Sequence, residues 1–154
     1  MNIFYLHKDP ETCSEYHNDK HVVKMILETA QLLCTVHWVN GGEAPYKPTH
    51  KNHPSSIWVR KSLQHYEWLS ELGISLCNEY KYRYGKTHKT KNIIEWCKEN
   101  KPNIPDYGWE EPPQAMPDEY KVPNNSIEAY RNYYMGEKRH FSKWKKRDIP
   151  EWFS

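Results

Sequence analysis

The longest periodic segment of the chain runs from His17 to Trp38 and is apolar around most of its circumference. On a helix with about 100° per residue, its polar side chains fall in one narrow stripe. The polar stripe consists of His17, His21, Lys24, Glu28, Gln31 and Thr35. A surface helix normally has the reverse proportions. We therefore expect this helix to be buried, with the stripe either facing a wet cleft or paired inside the protein.

Capping signals and periodicity place the remaining elements. Asp9-Pro10 is typical of a helix start, Gly41-Gly42 of the end of the long helix, and residues 125–128 have the pattern of a capping box. The predicted elements are an extended segment over 2–6, helices over 9–16, 55–84 (with Gly73 as a point of bending or division), 90–98 and 126–140, and the long helix capped by Asn18 or Asp19.

Residues 100–123 carry six prolines, with aromatic side chains such as Tyr107, Trp109 and Tyr120 between them. A stretch of this length without regular structure is usually functional or packed against the core. We expect it to form a strap over the core. Together these patterns predict a compact, mainly α single domain of about five helices, with a short extended segment at the N-terminus and a proline-rich strap.

Composition narrows the function classes. The chain has 154 residues, which fits one domain, and a net charge of +2, which gives no global field typical of a nucleic-acid-binding protein. Any such binding must come from a local patch, and residues 138–147 are the densest basic stretch. The four cysteines lack CxxC spacing and are expected to be reduced. Without a signal peptide or a long apolar run, we expect a cytoplasmic protein with no membrane segment, which leaves its oligomeric state open.

The loop before the 55–84 helix concentrates side chains that can bind an anion, namely Thr49, His50, Asn52 and His53. It leads directly into a helix N-terminus, where free backbone N–H groups favour a phosphate or carboxylate. A polar connector without function is the alternative. The other candidates for binding a ligand or nucleic acid are His17, Gln31, Arg60, Arg131, Tyr134, Lys143 and Lys146.

Lys24 and Glu28, four residues apart, are the first candidate for catalysis. A lysine desolvated in an apolar pocket becomes a usable amine nucleophile that can form a Schiff base at a sugar C1′. A neighbouring carboxylate can stabilise the cation and move protons, and His21 lies one turn before Lys24. This is the chemistry of a DNA glycosylase/lyase, which needs no cofactor. A plain surface ion pair is the alternative.

Two further hypotheses stay open. His17 and His21 are four residues apart and could share a metal ion with Glu28, His50 or His53, which would make the protein a metal-dependent hydrolase. The spacing of a zinc-protease motif is absent, however. The same polar residues could instead hold a nucleotide or a nucleotide-derived signal without any reaction.

Four segments over nearly the full length, HxDKHVVKMILETAQLL, YKPTHxNHP, AMPDEYK and AYRNYY, resemble a family of small bacteriophage proteins, a likeness that by itself implies no particular activity. If the protein is phage-encoded, its location would be the host cytoplasm. More distantly, residues 1–90 resemble the pyrimidine-dimer DNA glycosylases of the endonuclease V type. The likeness lies in a short first segment, a long helix with an inward Glu, and an HP helix start followed by a basic-aromatic-Gly end.

That second resemblance implies a compact all-α fold that binds kinked duplex DNA and uses an N-terminal amine with one helix-borne glutamate. Glu28 would take the role of that glutamate. In the family, the amine belongs to a small residue exposed by removal of the initiator methionine. Here the bulkier Asn2 follows Met1 and disfavours such removal, so Lys24 becomes the substitute candidate for the nucleophile.

Overall fold

Six α-helices and two single-turn 3₁₀ helices, with no β-strand, form the regular structure of the computed structural model, which describes residues 1–154. The all-α prediction is confirmed. The helices are α1 (Pro10–Tyr16), α2 (Asp19–Val39), α3 (Pro54–Lys61), α4 (Leu63–Tyr84), α5 (Lys91–Glu99) and α6 (Ser126–Met135), and the 3₁₀ turns are Asp118–Tyr120 and Arg139–Phe141.

The predicted 55–84 helix is two helices, which is why there are six rather than about five. The break lies at Ser62, whose backbone is extended (φ −150°, ψ 142°). Its hydroxyl donates to Gly108 O at 2.7 Å, and Leu63 N–H donates to Pro105 O at 2.9 Å, so the strap holds the break in place. Gly73 does not divide α4. A Cβ there would lie 2.9 Å from Ile94 Cγ2, so this glycine permits the close approach of α5.

The last helix also differs from its prediction, because it ends at Met135 rather than near residue 140. A Cβ at Gly136 would collide with the ring of Tyr120, so the strap packs against the chain where the helix stops. The start of α6 follows the capping-box pattern, since Asn125 Oδ1 accepts from Glu128 N–H at 3.0 Å.

The core lies between the two long helices α2 and α4, and α3 and α5 also pack against both of them. As predicted, α2 is largely buried, and Asn18 is its N-cap. By length and composition α2 would also be long enough to cross a membrane, but 56 % of its most apolar window is buried inside the protein. Core helices of soluble proteins pass the same test.

The N-terminal segment 1–6 has no regular secondary structure and packs on the core, with a tight turn where Leu6 N–H donates to Phe4 O at 3.1 Å. It runs along the polar stripe in the direction opposite to α2. The ring of Phe4 stacks on that of His21 with 4.1 Å between centroids and meets the edge of His17 at 6.3 Å. The first residue of the segment lies beside Glu28, whose Oε1 is 3.4 Å from the Met1 ammonium nitrogen. The segment therefore covers His17 and His21 and places its terminus beside Glu28.

The proline-rich segment is a packed strap, as predicted. His65, which is buried, donates from Nδ1 to Trp58 O at 2.7 Å and accepts at Nε2 from Glu110 N–H at 2.9 Å. Its ring also stacks on Trp58 at 4.2 Å, and Trp109 meets both rings edge-on. Both imidazole nitrogens are thus used to fix the strap to α3 and α4.

A buried charge network joins the helices to the C-terminal region. The fully buried guanidinium of Arg83 donates to Glu79 at 2.8 Å, to Asp19 at 3.0 Å and to the carbonyl oxygens of His17 and Glu15. Glu79 also accepts from Arg147 at 2.9 Å through both of its oxygens. These bonds connect α1, α2 and α4 with the C-terminal chain.

Candidate active site

A cavity of about 360 Å³ opens where the N-terminal segment, α2, the start of α3 and the end of α6 meet. Its polar lining comes from four parts of the chain. The chemically important members are Met1, His21, Lys24, Glu28, His53 and Lys138. The structure thus brings together four of the residues that the sequence singled out, His21, Lys24, Glu28 and His53, at one cavity.

Glu28 lies between two amines. Its Oε1 is 3.4 Å from the ammonium nitrogen of Met1, and its Oε2 is 4.0 Å from Lys24 Nζ. The Glu28 side chain is 14 % exposed, whereas that of Lys24 is 66 % exposed. The expected desolvation of Lys24 is therefore wrong, because its side chain extends from α2 into solvent at the rim. The amine held inside the cavity is that of Met1.

The position of the Met1 amine is fixed by contacts of the Met1 side chain and of Asn2. The Met1 side chain is 3 % exposed and packs on the core. The next side chain, Asn2, donates from Nδ2 to Ala115 O at 3.0 Å, and its Oδ1 accepts from Ile3 N–H and lies 2.8 Å from the Tyr130 hydroxyl, whose single proton it shares with Pro113 O at 2.7 Å. The Asn2 side chain thus connects the first residues to the strap and to α6. A small residue could not make these bonds.

His53 presents a hydrogen-bond donor to the cavity. As the N-cap of α3, its Nδ1 accepts from Ser55 N–H at 3.0 Å. A nitrogen that accepts cannot carry a proton, so the neutral ring holds its proton on Nε2, which has no partner in the protein. Burial and, next, the nearby terminal ammonium and His50 lower the pKa of His53, which keeps the ring neutral.

His21 is arranged in the same way at the deeper wall of the cavity. Its Nδ1 lies 2.7 Å from the hydroxyl of Tyr134, which itself accepts from Asn18 N–H at 3.3 Å. The buried hydroxyl keeps its own proton bonded only if it donates to His21, which leaves the His21 proton on Nε2. Burial lowers the pKa of His21 to about 2, so this ring is a second neutral donor.

His17 lies outside the cavity and is fully buried. It is the C-cap residue of α1 rather than part of α2, and its Nδ1 donates to Cys13 O at 2.7 Å. Burial lowers its pKa to about 4. The metal hypothesis required a further ligand for the His17 and His21 pair, and no group of three or more His, Cys, Asp or Glu side chains is placed to hold a metal ion.

The loop residues of the predicted site lie around the cavity rather than in it. Thr49 bonds through its backbone to Thr35, and its hydroxyl pairs with His50 Nδ1 at 2.7 Å. Asn52 is exposed in the turn before α3, and Gln31 is half-buried one turn beyond Glu28. Except for His53, this set does not line the cavity.

The other binding candidates make contacts within the protein. Arg60 donates to Lys51 O and holds the loop against α3. Arg131 donates to Leu6 O, and its guanidinium lies over the rings of Tyr16 and Trp152.

Tyr134 is fully buried behind His21, so the structure gives it a place in the core rather than on a binding surface. Lys143 is exposed, and its carbonyl accepts from Asp19 N–H. Lys146 lies apart from the cavity, where its Nζ donates to Tyr82 O at 3.3 Å.

Four lining residues with polar groups, Met1, Asn2, Tyr133 and Lys138, were not among the predicted site residues, although Lys138 begins the predicted basic stretch 138–147. Lys138 Nζ lies 4.8 Å from the centre of the Tyr133 ring, which stacks against Phe4 at 6.2 Å. Burial, and then Glu137, raise the pKa of Tyr133 to about 12, so it is a neutral phenol. Tyr133 stands in the AYRNYY segment, but no local pattern indicates which of its tyrosines faces the cavity.

A family model described as pyrimidine dimer DNA glycosylase matches residues 1–92 of the chain. No curated protein and no solved structure matches the chain. The matched region contains Met1, Lys24, Glu28 and His53. Tyr133 and Lys138, which also line the cavity, lie beyond it.

Proposed function

Since the chain belongs to the pyrimidine dimer DNA glycosylase family, we propose that it is a DNA glycosylase with lyase activity whose nucleophile is the α-amino group of Met1. Glu28 is its acid–base group. The observation that carries this proposal is the 3.4 Å separation of the Met1 nitrogen from Glu28 Oε1 inside a polar cavity. An amine and a carboxylate in contact are the two groups that imine formation at a sugar requires.

The reaction begins when Glu28 accepts a proton from the Met1 ammonium. The neutral nitrogen attacks C1′ of the target nucleotide, and a bond from nitrogen to C1′ forms while the glycosidic bond breaks. The base leaves with the bonding electron pair and takes up a proton. Glu28, which gives its first proton to the departing base, takes a second proton from the nitrogen that is now bonded to C1′. The freed lone pair on nitrogen forms a double bond to C1′ as the bond from C1′ to O4′ breaks, and O4′ takes the proton from Glu28. The product is a protonated imine between protein and DNA.

Strand cleavage follows from the same intermediate. The protonated imine makes the hydrogen on C2′ acidic, and the Glu28 carboxylate is placed to remove it. The electron pair of that C–H bond forms a double bond from C2′ to C3′, and the 3′ phosphate leaves with the electrons of its bond to C3′. Water then hydrolyses the imine and restores the amine.

The remaining polar groups of the cavity suit an anionic substrate. His21 and His53 each offer a neutral N–H donor, and the ammonium groups of Lys24 and Lys138 stand at the cavity wall. Donors fixed before the substrate arrives stabilise charge that develops on oxygen without having to reorganise. We assign these four groups to binding the phosphates and the opened sugar of the target nucleotide.

The experiment is borohydride trapping on duplex DNA that contains an abasic site, because borohydride reduces the imine to a stable secondary amine. An abasic site removes the need to know which damaged base is recognised. Trypsin cleaves after Lys8 and after Lys20, so the two candidate amines lie in different peptides. Mass spectrometry of the digested adduct should place the DNA remnant on Met1.

Each other result has a definite meaning. An adduct on Lys24, lost in Lys24→Ala, would move the nucleophile to that lysine and leave Glu28 in place. No adduct with the wild-type protein would overturn the amine mechanism. A nucleotide that co-purifies and is released unchanged by denaturation would then favour a binding protein.

A further inference from the structure

We infer that residues 138–145, together with Lys20, form the surface that binds the phosphate backbone of duplex DNA beside the cavity. We call this surface the lysine track and define it by Lys20, Lys138, Lys143 and Lys145. The inference deepens the proposed function and rests on it for the identity of the partner. Apart from Lys20, the track lies outside the 1–92 region that the family model matches.

The backbone of the track is fixed on the start of α2. Asn18 Nδ2 donates to the Ser142 hydroxyl at 3.0 Å, Asp19 N–H donates to Lys143 O at 2.8 Å, and Lys145 N–H donates to Asp19 Oδ1 at 2.8 Å. Trp144, between the two lysines, is buried. The lysines of this segment therefore project from a backbone that is already ordered, so DNA binding would not have to order it.

The track is continuous with the cavity. Lys138 lines the cavity, and its Nζ lies 5.9 Å from the centre of the Phe141 ring. Lys20 Nζ lies 4.6 Å from the same ring, which in turn meets the edge of His21 at 5.8 Å. Farther along, Lys145 Nζ lies 5.2 Å from the ring of Tyr84.

The charges of the track are not neutralised within the protein, in contrast to those of Lys61 in α3, Lys98 in α5 and Lys101 in the strap. Lys61, Lys98 and Lys101 each pair with a glutamate at 2.5 to 3.0 Å. None of the four track lysines has a carboxylate within 4.0 Å.

Two carboxylates lie beside the track. That of Asp19 is used by the buried Arg83, and that of Glu137 acts on Tyr133. Lys20, Lys143 and Lys145 are exposed. A row of unpaired ammonium groups next to aromatic rings suits a row of phosphates, and the row leads to the proposed reaction site.

The test compares two triple variants that lose the same charge. Lys20, Lys143 and Lys145 are changed to Gln in the first, and Lys61, Lys98 and Lys101 in the second. Fluorescence anisotropy with undamaged duplex DNA, over about 50 to 200 mM salt, gives the slope of log K against log salt. We expect the first variant to lower that slope by about three relative to wild type, or about one per phosphate contact, and the second to leave it unchanged.

Equal slopes for the first variant and the wild type, or an equal loss in both variants, would overturn the track, as would a wild-type protein that does not bind duplex DNA. Borohydride trapping separates this result from the proposed activity. At saturating DNA the first variant should form the adduct at the wild-type rate, because no substituted residue touches the cavity. A selective loss of duplex binding in a protein that forms no adduct would support the track and overturn the activity.

Discussion

Two parts of the polar stripe share one face in the sequence but not one environment, and we call them the histidine end (His17 and His21) and the glutamate end (Glu28). At the first end, His17 and His21 are buried under Phe4, and their δ-nitrogens bond to groups of the protein. At the other end, Glu28 faces a cavity and the ammonium of Met1. The same six-residue segment causes both outcomes, because it covers the histidines and ends at the glutamate.

This difference separates two kinds of buried polarity. The histidine end is electrically neutral, and its polar groups other than His21 Nε2 are hydrogen-bonded or buried. The glutamate end keeps charged groups in contact with a space that a substrate can enter. A perturbed pKa alone would point to His17 and His21, although perturbed groups mark functional sites only probabilistically. The geometry points to Glu28, which lies about two to three helical turns farther along the sequence.

The largest difference between the two ends is expected from Glu28→Gln. Glutamine keeps the size of the side chain but cannot accept a proton, so the rate of adduct formation on abasic DNA should fall by about 10²- to 10⁴-fold. Duplex affinity and the melting temperature should stay near wild type. Glu95→Gln, an exposed change of the same charge on α5, is the control. Wild-type rates in Glu28→Gln would remove Glu28 from the mechanism.

Lowering the pH should reduce the free energy of unfolding mainly through the histidine end. Because the folded pKa values of His17 and His21 are about 4 and about 2, the unfolded chain binds protons below about pH 6.5 that the folded protein does not. The free energy of unfolding therefore falls as the pH is lowered through this window. His17 alone should contribute a loss of about 3 kcal/mol between about pH 6.5 and pH 4.

Denaturant unfolding at several pH values measures this loss. His17→Asn, which retains an N–H donor near Cys13 O, should show a shallower dependence on pH. His140→Gln, at an exposed position, should leave the dependence unchanged. An unaltered slope in His17→Asn would mean that other groups carry the acid sensitivity.

A smaller effect is expected from Tyr130→Phe, which should alter the glutamate end more than the histidine end because it acts on the N-terminal segment that contacts both. Tyr130→Phe removes the hydroxyl that lies 2.8 Å from Asn2 Oδ1 but keeps the ring that packs near Phe4 at 5.8 Å. The hydroxyl also lies 2.7 Å from Pro113 O and accepts from Ala115 N–H at 3.2 Å. The histidine end should therefore stay closed, with a stability loss of about 1 to 3 kcal/mol. The Met1 amine should be less well positioned, so the single-turnover rate at saturating DNA should fall about tenfold.

Tyr107→Phe, at a side chain that is 78 % exposed, is the control for Tyr130→Phe. A purely structural role for the Tyr130 hydroxyl would lower the melting temperature and leave the saturating rate unchanged.

The smallest effect is expected from Lys24→Ala. Its ammonium is largely in water and 4.0 Å from Glu28, and exposed pairs of this kind contribute about 0 to 1 kcal/mol. Adduct formation should fall by less than about fivefold, and the DNA remnant should stay on Met1. Complete loss of the adduct would invert the comparison between the two amines and make Lys24 the nucleophile.

Local signals in the sequence were sufficient for much of the fold. The Asn18 cap, the Asp9-Pro10 start and the capping box at 125–128 depend on neighbouring residues, and each is where the pattern placed it. The break at Ser62 was missed because residues 105–108 of the strap hold it. Gly73 was misread for the same reason, since its role comes from Ile94 on another helix.

The candidate site divides in the same way. Glu28, His21 and Lys24 follow from one helical period, and His53 from a helix start. The position of the Met1 amine depends on Asn2, whose partners lie more than 110 residues away in the strap and α6. No periodicity within the first residues encodes contacts of that range. The size of Asn2, which disfavours removal of Met1, also lets its side chain reach Ala115 and the Tyr130 hydroxyl and so position the Met1 amine.

The buried network around Arg83 has a consequence for how the molecule unfolds. Glu79 shares its carboxylate between Arg83 and Arg147, so a chain cut after residue 92 would lose one of its two cationic partners along with the strap and α6. The part that matches the family model is therefore not an autonomous module. The whole chain should melt in a single cooperative transition, and proteolysis should yield no stable fragment that ends near residue 92.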